Sequence, residues 1–150
     1  LFNQVLARRV TAATWDRALE GDALNLNGSR SFFVPDTIDE TIQRRIAEGD
    51  VHPSGPLWGR GELATQMAVR ALETEVVAEH ADLAQGLERA GLEQERRALR
   101  LFPRELRAQW LDAQTLQLEF SLAPGSYATV LLREIAVLNS VSPGLGEDSA

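Results

Sequence analysis

Between Leu1 and Leu19, apolar residues at Phe2, Val5, Leu6, Val10, Trp15 and Leu19 follow the three-to-four spacing of an amphipathic helix, which predicts helix over at least the first half of that segment. Gly21 interrupts the spacing. Ala23 to Asn27 then alternates apolar and polar, and Asn27-Gly28 is a strong hairpin signal, so a short strand is expected there with its return at Ser31-Phe32-Phe33-Val34. Pro35-Asp36-Thr37 opens a second helix, with Thr37 and Glu40 at capping-box spacing, Ile38, Ile42 and Ile46 on one face, and Gly49 as its stop. Two prolines and three glycines between His52 and Gly61 read as a loop anchored by Trp58. The longest helix is predicted over Glu62–Ala81, with Leu63, Met67, Val69, Leu72, Val76 and Val77 as its apolar stripe. Shorter helices follow, through Leu83 and Leu87 to a stop at Gly91, and from Leu92 to Leu101 before Pro103.

The period changes in the last third. Leu106, Ala108 and Trp110 alternate with polar neighbours, as do Leu116, Leu118, Phe120 and Leu122, so an antiparallel hairpin turning at Asp112-Ala113-Gln114 is expected. After the turn Pro124-Gly125-Ser126, a helix is expected from near Tyr127 through Leu138, and the acidic, Pro- and Gly-containing tail after Ser140 is expected to fray. The pattern is α+β, with most of the helix in the first two thirds.

With 150 residues, 44% hydrophobic and 25% charged, the chain has the make-up of an ordinary globular domain or parts of two. It has no cysteine, hence no disulfide, no thiolate metal site and no cysteine nucleophile. No apolar run is long enough to cross a bilayer, and Leu1–Arg9 is too polar for a signal-peptide core, so a soluble cytoplasmic protein is the expectation. The chain opens on Leu1, and its one methionine is Met67, which suggests a piece of something longer.

Charge alters the picture once it is resolved along the chain. The net charge of −7 argues against nucleic acid, yet residues 62–95 hold two arginines against eight carboxylates, and residues 96–107 hold five arginines against Glu105. If that segment is helical, Arg96, Arg100, Arg104 and Arg107 fall along one face, with Arg97 beside them. Such a row suits phosphate, since a guanidinium can fork two hydrogen bonds onto one anion. A solvated face paired with the acidic stretch before it accounts for the same residues.

Metal chemistry is poorly supported: His52 and His80 are the only histidines, and neither sits at a ligand spacing. Gly59-Arg60-Gly61-Glu62-Leu63-Ala64 imitates a dinucleotide fingerprint, but Pro53, Gly55 and Pro56 preclude the buried central strand that must precede it. At Pro124-Gly125-Ser126-Tyr127-Ala128, a helix start and an aromatic ring meet at one rim. This suits an anion and a base, or else Ser126 is an N-cap and Tyr127 packs on the sheet.

Leu1-Phe2-Asn3-Gln4, Gly21-Asp22-Ala23-Leu24, Pro53-Ser54-Gly55-Pro56-Leu57-Trp58-Gly59 and Pro124-Gly125-Ser126-Tyr127-Ala128-Thr129 through Arg133-Glu134 resemble, in order and spacing, the tRNA pseudouridine synthase D (TruD) family. The resemblance covers nearly the whole chain and fits the C-terminal part of such an enzyme. It implies a helix-rich insertion domain over residues 1–101, its N-terminal part missing, followed over 102–150 by the C-terminal segment of a pseudouridine-synthase catalytic domain. It also implies cofactor-free isomerisation of uridine to pseudouridine, in the best-known bacterial cases at position thirteen of tRNA. The family's catalytic aspartate stands in a Gly-x-Lys-Asp motif, which a chain without lysine does not contain. Of the active site, the resemblance leaves Tyr127 as a contact to the target uridine. The arginine set, offered to tRNA, comes from charge distribution alone. The expected partners are tRNA and the remainder of the same enzyme, without metal or membrane. The competing reading is a non-catalytic helical module that binds protein or RNA.

Overall fold

The computed structural model describes residues 1–124 and 126–137. Its elements are helix α1 (Phe2–Thr11), strands β1 (Leu24–Leu26) and β2 (Phe32–Phe33), helix α2 (Glu40–Ala47), strand β3 (Val51–Leu57), helices α3 (Met67–Glu79) and α4 (Ala81–Arg89), strands β4 (Glu95–Ala98), β5 (Arg104–Trp110) and β6 (Leu116–Ser121), and helix α5 (Ala128–Ile135). Four strands form an antiparallel sheet in the order β2-β1-β3-β4, and β5 pairs with β6 in a second sheet. The α+β expectation is met. So are the first helix, the strand pair around Gly28 and the late hairpin.

Four local expectations are corrected. The segment after His52, expected to be a loop, belongs to β3, one of the two interior strands of the larger sheet. Its prolines are tolerated because β1 and β4 flank different stretches of it: β1 reaches only as far as Leu24 opposite Pro53, whereas β4 pairs from Ser54 to Leu57. Backbone groups of alternate residues face opposite neighbours. The Pro53 carbonyl accepts from the Leu99 N–H on the β4 side, so the missing N–H of Pro56 faces past the end of β1, where no ladder bond is lost. Trp58 does anchor the following turn, donating from Nε1 to Glu88 Oε1 at 3.0 Å.

Residues 92–101, expected to be helical, instead contain strand β4 (Glu95–Ala98). Burial alternates along it, but the inward position is held by an arginine, so a search for alternating apolar residues does not see the period. Helix α3 starts at Met67, five residues later than expected, because the Gln66 N–H is taken by the Gly21 carbonyl at 2.9 Å in an extended approach. A Cβ on Gly21 (φ +87°) would fall 2.4 Å from the Gln66 oxygen. Helix α2 is capped by Asp39, whose carboxylate accepts from the Ile42 N–H, rather than by Thr37.

Leu24, Ile42, Ile46 and Val51 form the core where α2 meets the sheet, with Ala18, Leu26, Phe33 and Ile38 packed around them. On α3, the buried positions are Val69, Glu73 and Val76, and Glu73 is wholly enclosed. Its carboxylate takes a bidentate pair from Arg96, Nη1 to Oε2 at 3.0 Å and Nη2 to Oε1 at 2.8 Å, and a hydrogen bond from Thr65 Oγ1 at 2.7 Å. Arg96 also donates to Ser54, Nε to Oγ at 3.0 Å and Nη2 to the carbonyl at 2.6 Å. A second buried pair, Arg9 with Asp22, fixes the irregular stretch after α1: Arg9 also donates to the Thr14 and Arg17 carbonyls, and Asp22 accepts from the Leu19 N–H.

Candidate nucleic-acid interface

A cleft of about 770 Å³ runs between the larger sheet and the turn before α5. The start of α1 contributes Phe2, the turn after β1 contributes Asn27 to Arg30, β3 contributes His52, residues 95–102 form a long wall, and Pro124, Ser126 and Tyr127 close the rim. Tyr127 is 66% exposed. It occupies the N-cap position of α5 with its backbone extended, and its carbonyl accepts from the Val130 N–H at 3.0 Å. Ser126 therefore does not cap the helix, and the Tyr127 ring lies open to the cleft instead of packing on a sheet.

The five arginines do not form one row, since β4, the connection after it and β5 carry them in place of a helix. Arg96 is 7% exposed and fully engaged with Glu73 and Ser54, so no phosphate can reach it without dismantling the interior. Arg100 is held at the base of the cleft, donating from Nε to His52 Nδ1 at 2.9 Å, from Nη1 to the Asp16 carbonyl at 3.2 Å, and from Nη2 to the carbonyls of Ile46 and Val51. Arg97 is exposed and lies over the Phe2 ring, its guanidinium carbon 5.6 Å from the centroid. Arg104 reaches the Gly49 carbonyl at 3.4 Å and is otherwise open, as is Arg107. Arg30 joins them at the cleft, 3.6 Å from Glu95.

His52 was not readable as a site residue. It is 3% exposed, accepts from Arg100 at Nδ1, and so carries its proton on Nε2, 3.1 Å from Asn27 Oδ1. Burial, and next the Arg100 and Arg104 guanidiniums, lower its pKa to about 4, against a weaker opposing pull from Asp50. The ordinary value is 6.5, so between pH 6.5 and about 4 the unfolded chain takes up a proton that the folded one refuses. Stability from His52 is present above that window and is lost as pH falls through it. The urea midpoint is expected to drop between pH 7.5 and pH 5, and His52→Gln to shrink that drop. An equal drop in both proteins would assign the pH sensitivity to other groups. Behind His52, the Phe102 ring lies 6.0 Å from the imidazole and fills the space beside Gly49 (φ +71°), where a Cβ would come within 2.4 Å of it.

The imitation dinucleotide motif also finds its place. A strand does precede Gly59, contrary to expectation, but no helix begins at Gly61: Arg60 bridges to Glu93, and a Cβ on Gly59 would collide with the Glu93 backbone at 2.4 Å. The turn packs against protein and leaves no room for a pyrophosphate.

The fold is that of a known class. It matches a crystal structure from Methanosarcina mazei assigned to tRNA pseudouridine synthase D (TruD), with a TM-score of 0.61 and 23% identity over 89% of this chain and 35% of that one. The sequence narrows this further: the family model for tRNA pseudouridine synthase D (TruD) matches residues 1–135, and the chain belongs to that family. It is 53% identical over 137 residues to the tRNA pseudouridine synthase D of Xanthomonas euvesicatoria and 54% identical over 136 residues to that of Nitrosococcus oceani. These alignments take in 90% of this chain, but 37% and 38% of the relatives, so the chain spans little more than a third of their length.

Proposed function

We propose that the chain is the C-terminal part of an enzyme that isomerises uridine to pseudouridine in tRNA, with Tyr127 against the target base. The observation that carries this reading is the exposed Tyr127 ring at the rim of a cleft flanked by Arg30 and Arg97, in a chain of this family. The reaction breaks the bond from uracil N1 to the ribose, turns the ring and joins C5 to the same ribose carbon, and the proton lost from C5 is matched by one taken up at N1. Atoms and charge balance without an oxidant or reductant. The carboxylate that assists would come from the remainder of the enzyme. A base must leave its stack for this chemistry, and an exposed aromatic face receives it.

Residues 1–101 then form the end of the family's insertion, and 102–150 the last segment of the catalytic domain. In support, the four-stranded sheet lies wholly within the first range, and β5-β6 starts a separate sheet in the second. The hairpin exposes Leu106 and Trp110, an apolar face suited to cover by the rest of the protein. No helix among the described residues is long and apolar enough to cross a membrane.

For tRNA contact the reading keeps Arg97, Arg104 and Arg107, and sets aside Arg96 and Arg100 because the interior occupies them. The test uses the complete enzyme. The parent should form pseudouridine in tRNA, and one that forms none defeats the reading. Changing Arg97, Arg104 and Arg107 together to Gln should weaken tRNA binding and flatten its dependence on salt, by roughly 0.7 to 0.9 in logarithmic slope per lost phosphate contact. Unchanged affinity and slope would remove the arginines from the tRNA surface.

A further inference from the structure

We propose that Asn25 and Asn27 form a polar reading edge on the cleft wall, Asn25 accepting a hydrogen bond from, and Asn27 donating one to, an RNA nucleotide next to the target uridine. The inference rests on the uridine-isomerising reading and adds to it a nucleotide subsite made by this chain.

Asn25 lies opposite Phe32 on one side and His52 on the other, in the body of the sheet. It is 4% exposed, it lines the cleft, and its Oδ1 has no hydrogen-bond partner among the described residues. A buried amide oxygen without a partner is destabilising, and an apolar side chain of similar volume would avoid that cost. Asparagine at this position therefore works against the stability of the sheet, which is the pattern expected of a group kept for a ligand's donor.

Asn27 is set by a relay. Arg100 Nε–H donates to His52 Nδ1, which leaves the imidazole proton on Nε2, and that proton goes to Asn27 Oδ1. With its oxygen engaged, the Asn27 amide has one orientation, and its NH₂ group remains to donate. Asn25 lies in β1 and Asn27 in the turn that follows it, and both line the same cleft. One wall thus offers an acceptor and a donor, with the Arg30 and Arg97 cations and the Tyr127 ring on the same cleft. Cations for phosphate, an aromatic face and paired amide groups together suit a single-stranded ribonucleotide. The donor that meets Asn25 is a base amino group or a ribose 2′-hydroxyl.

The complete enzyme carrying Asn25→Leu should melt at the same or a higher temperature, yet show a KM for tRNA raised about fivefold, the worth of one hydrogen bond, with kcat within twofold. Asn27→Ala, at the more open turn position, should raise KM similarly without a change in melting. A substrate with 2′-deoxyribose on either side of the target separates the two donors: if the hydroxyl is read, the parent loses the same factor and Asn25→Leu loses nothing more, and if a base amino group is read, the deoxy substrate leaves this contact in the parent unchanged and only Asn25→Leu loses the factor. Unchanged KM in Asn27→Ala overturns the proposal, as does unchanged KM in a folded Asn25→Leu. Should Asn25→Leu melt lower, Asn27→Ala alone decides. A parent that forms no pseudouridine defeats the underlying reading, whereas an active parent with two unaffected variants defeats only the reading edge.

Discussion

Replacing Tyr127 with alanine in the complete enzyme is expected to slow pseudouridine formation by about 10- to 100-fold, with tRNA affinity changed by no more than a few fold. The size follows from the worth of one base stacked on one aromatic ring, ~1–3 kcal/mol, where each 1.4 kcal/mol is a factor of ten in rate. The loss should fall on kcat because the bulk of tRNA affinity comes from phosphate contacts spread over the surface, whereas the ring meets a base only after it has left its stack. Tyr127 is 66% exposed at the start of α5 and supports no core residue, so the variant should melt with the parent. Tyr127→Phe keeps the ring and should keep most of the rate. A Tyr127→Ala enzyme with parental kcat would take the ring out of the uridine pocket, and a Tyr127→Phe enzyme as slow as the alanine variant would rule out stacking as the source of the effect. The second outcome would move the role to the phenol hydroxyl.

That the helix start at Tyr127 was legible in the sequence, and the surroundings of His52 were not, has a physical basis. A proline-glycine turn followed by an aromatic residue and a helix is specified within six consecutive residues, so its geometry is nearly local. The late hairpin was legible for the same reason: apolar residues alternate on both strands, and Asp112 closes the turn by accepting from the Gln114 and Thr115 N–H groups. Strand β3 and the arginine segment were illegible because their structure depends on distant partners. Pro53 and Pro56 are admissible only because β1 stops at Leu24 and β4 begins opposite Ser54, a fact of register between segments far apart in sequence. His52 becomes a relay only when Arg100, 48 positions later, and Asn27, 25 positions earlier, converge on its two nitrogens. Charge counting along the chain located five cations but could not tell which were solvated. Arg96 and Arg97 are adjacent, and alternation along β4 puts one in the interior and the other beside the cleft.

The buried half of that alternation supports the largest expected effect on stability. Glu73→Ala leaves the Arg96 guanidinium enclosed without its counter-charge, a change that costs ~3–5 kcal/mol when one partner of a buried pair is removed. At ~2–4 °C per kcal/mol for a protein of this size class, melting of the unit that contains α3 and β4 should fall by roughly 10 °C. Arg96→Met should behave alike, since it strands the carboxylate, with only Thr65 left to donate to it. The double variant Glu73→Leu with Arg96→Met is the informative one. It removes both charges and refills the space, so it should recover much of the loss, because the pair's attraction does little more than offset its own desolvation. A single variant that melts within a degree or two of the parent would mean that water reaches the pair and that the interior is looser than the contacts indicate. The outcome also bears on RNA binding: if Arg96→Met lowers tRNA affinity and the double variant restores it, the loss came from the fold, and Arg96 acts on tRNA only by holding β4 in place beside Arg97.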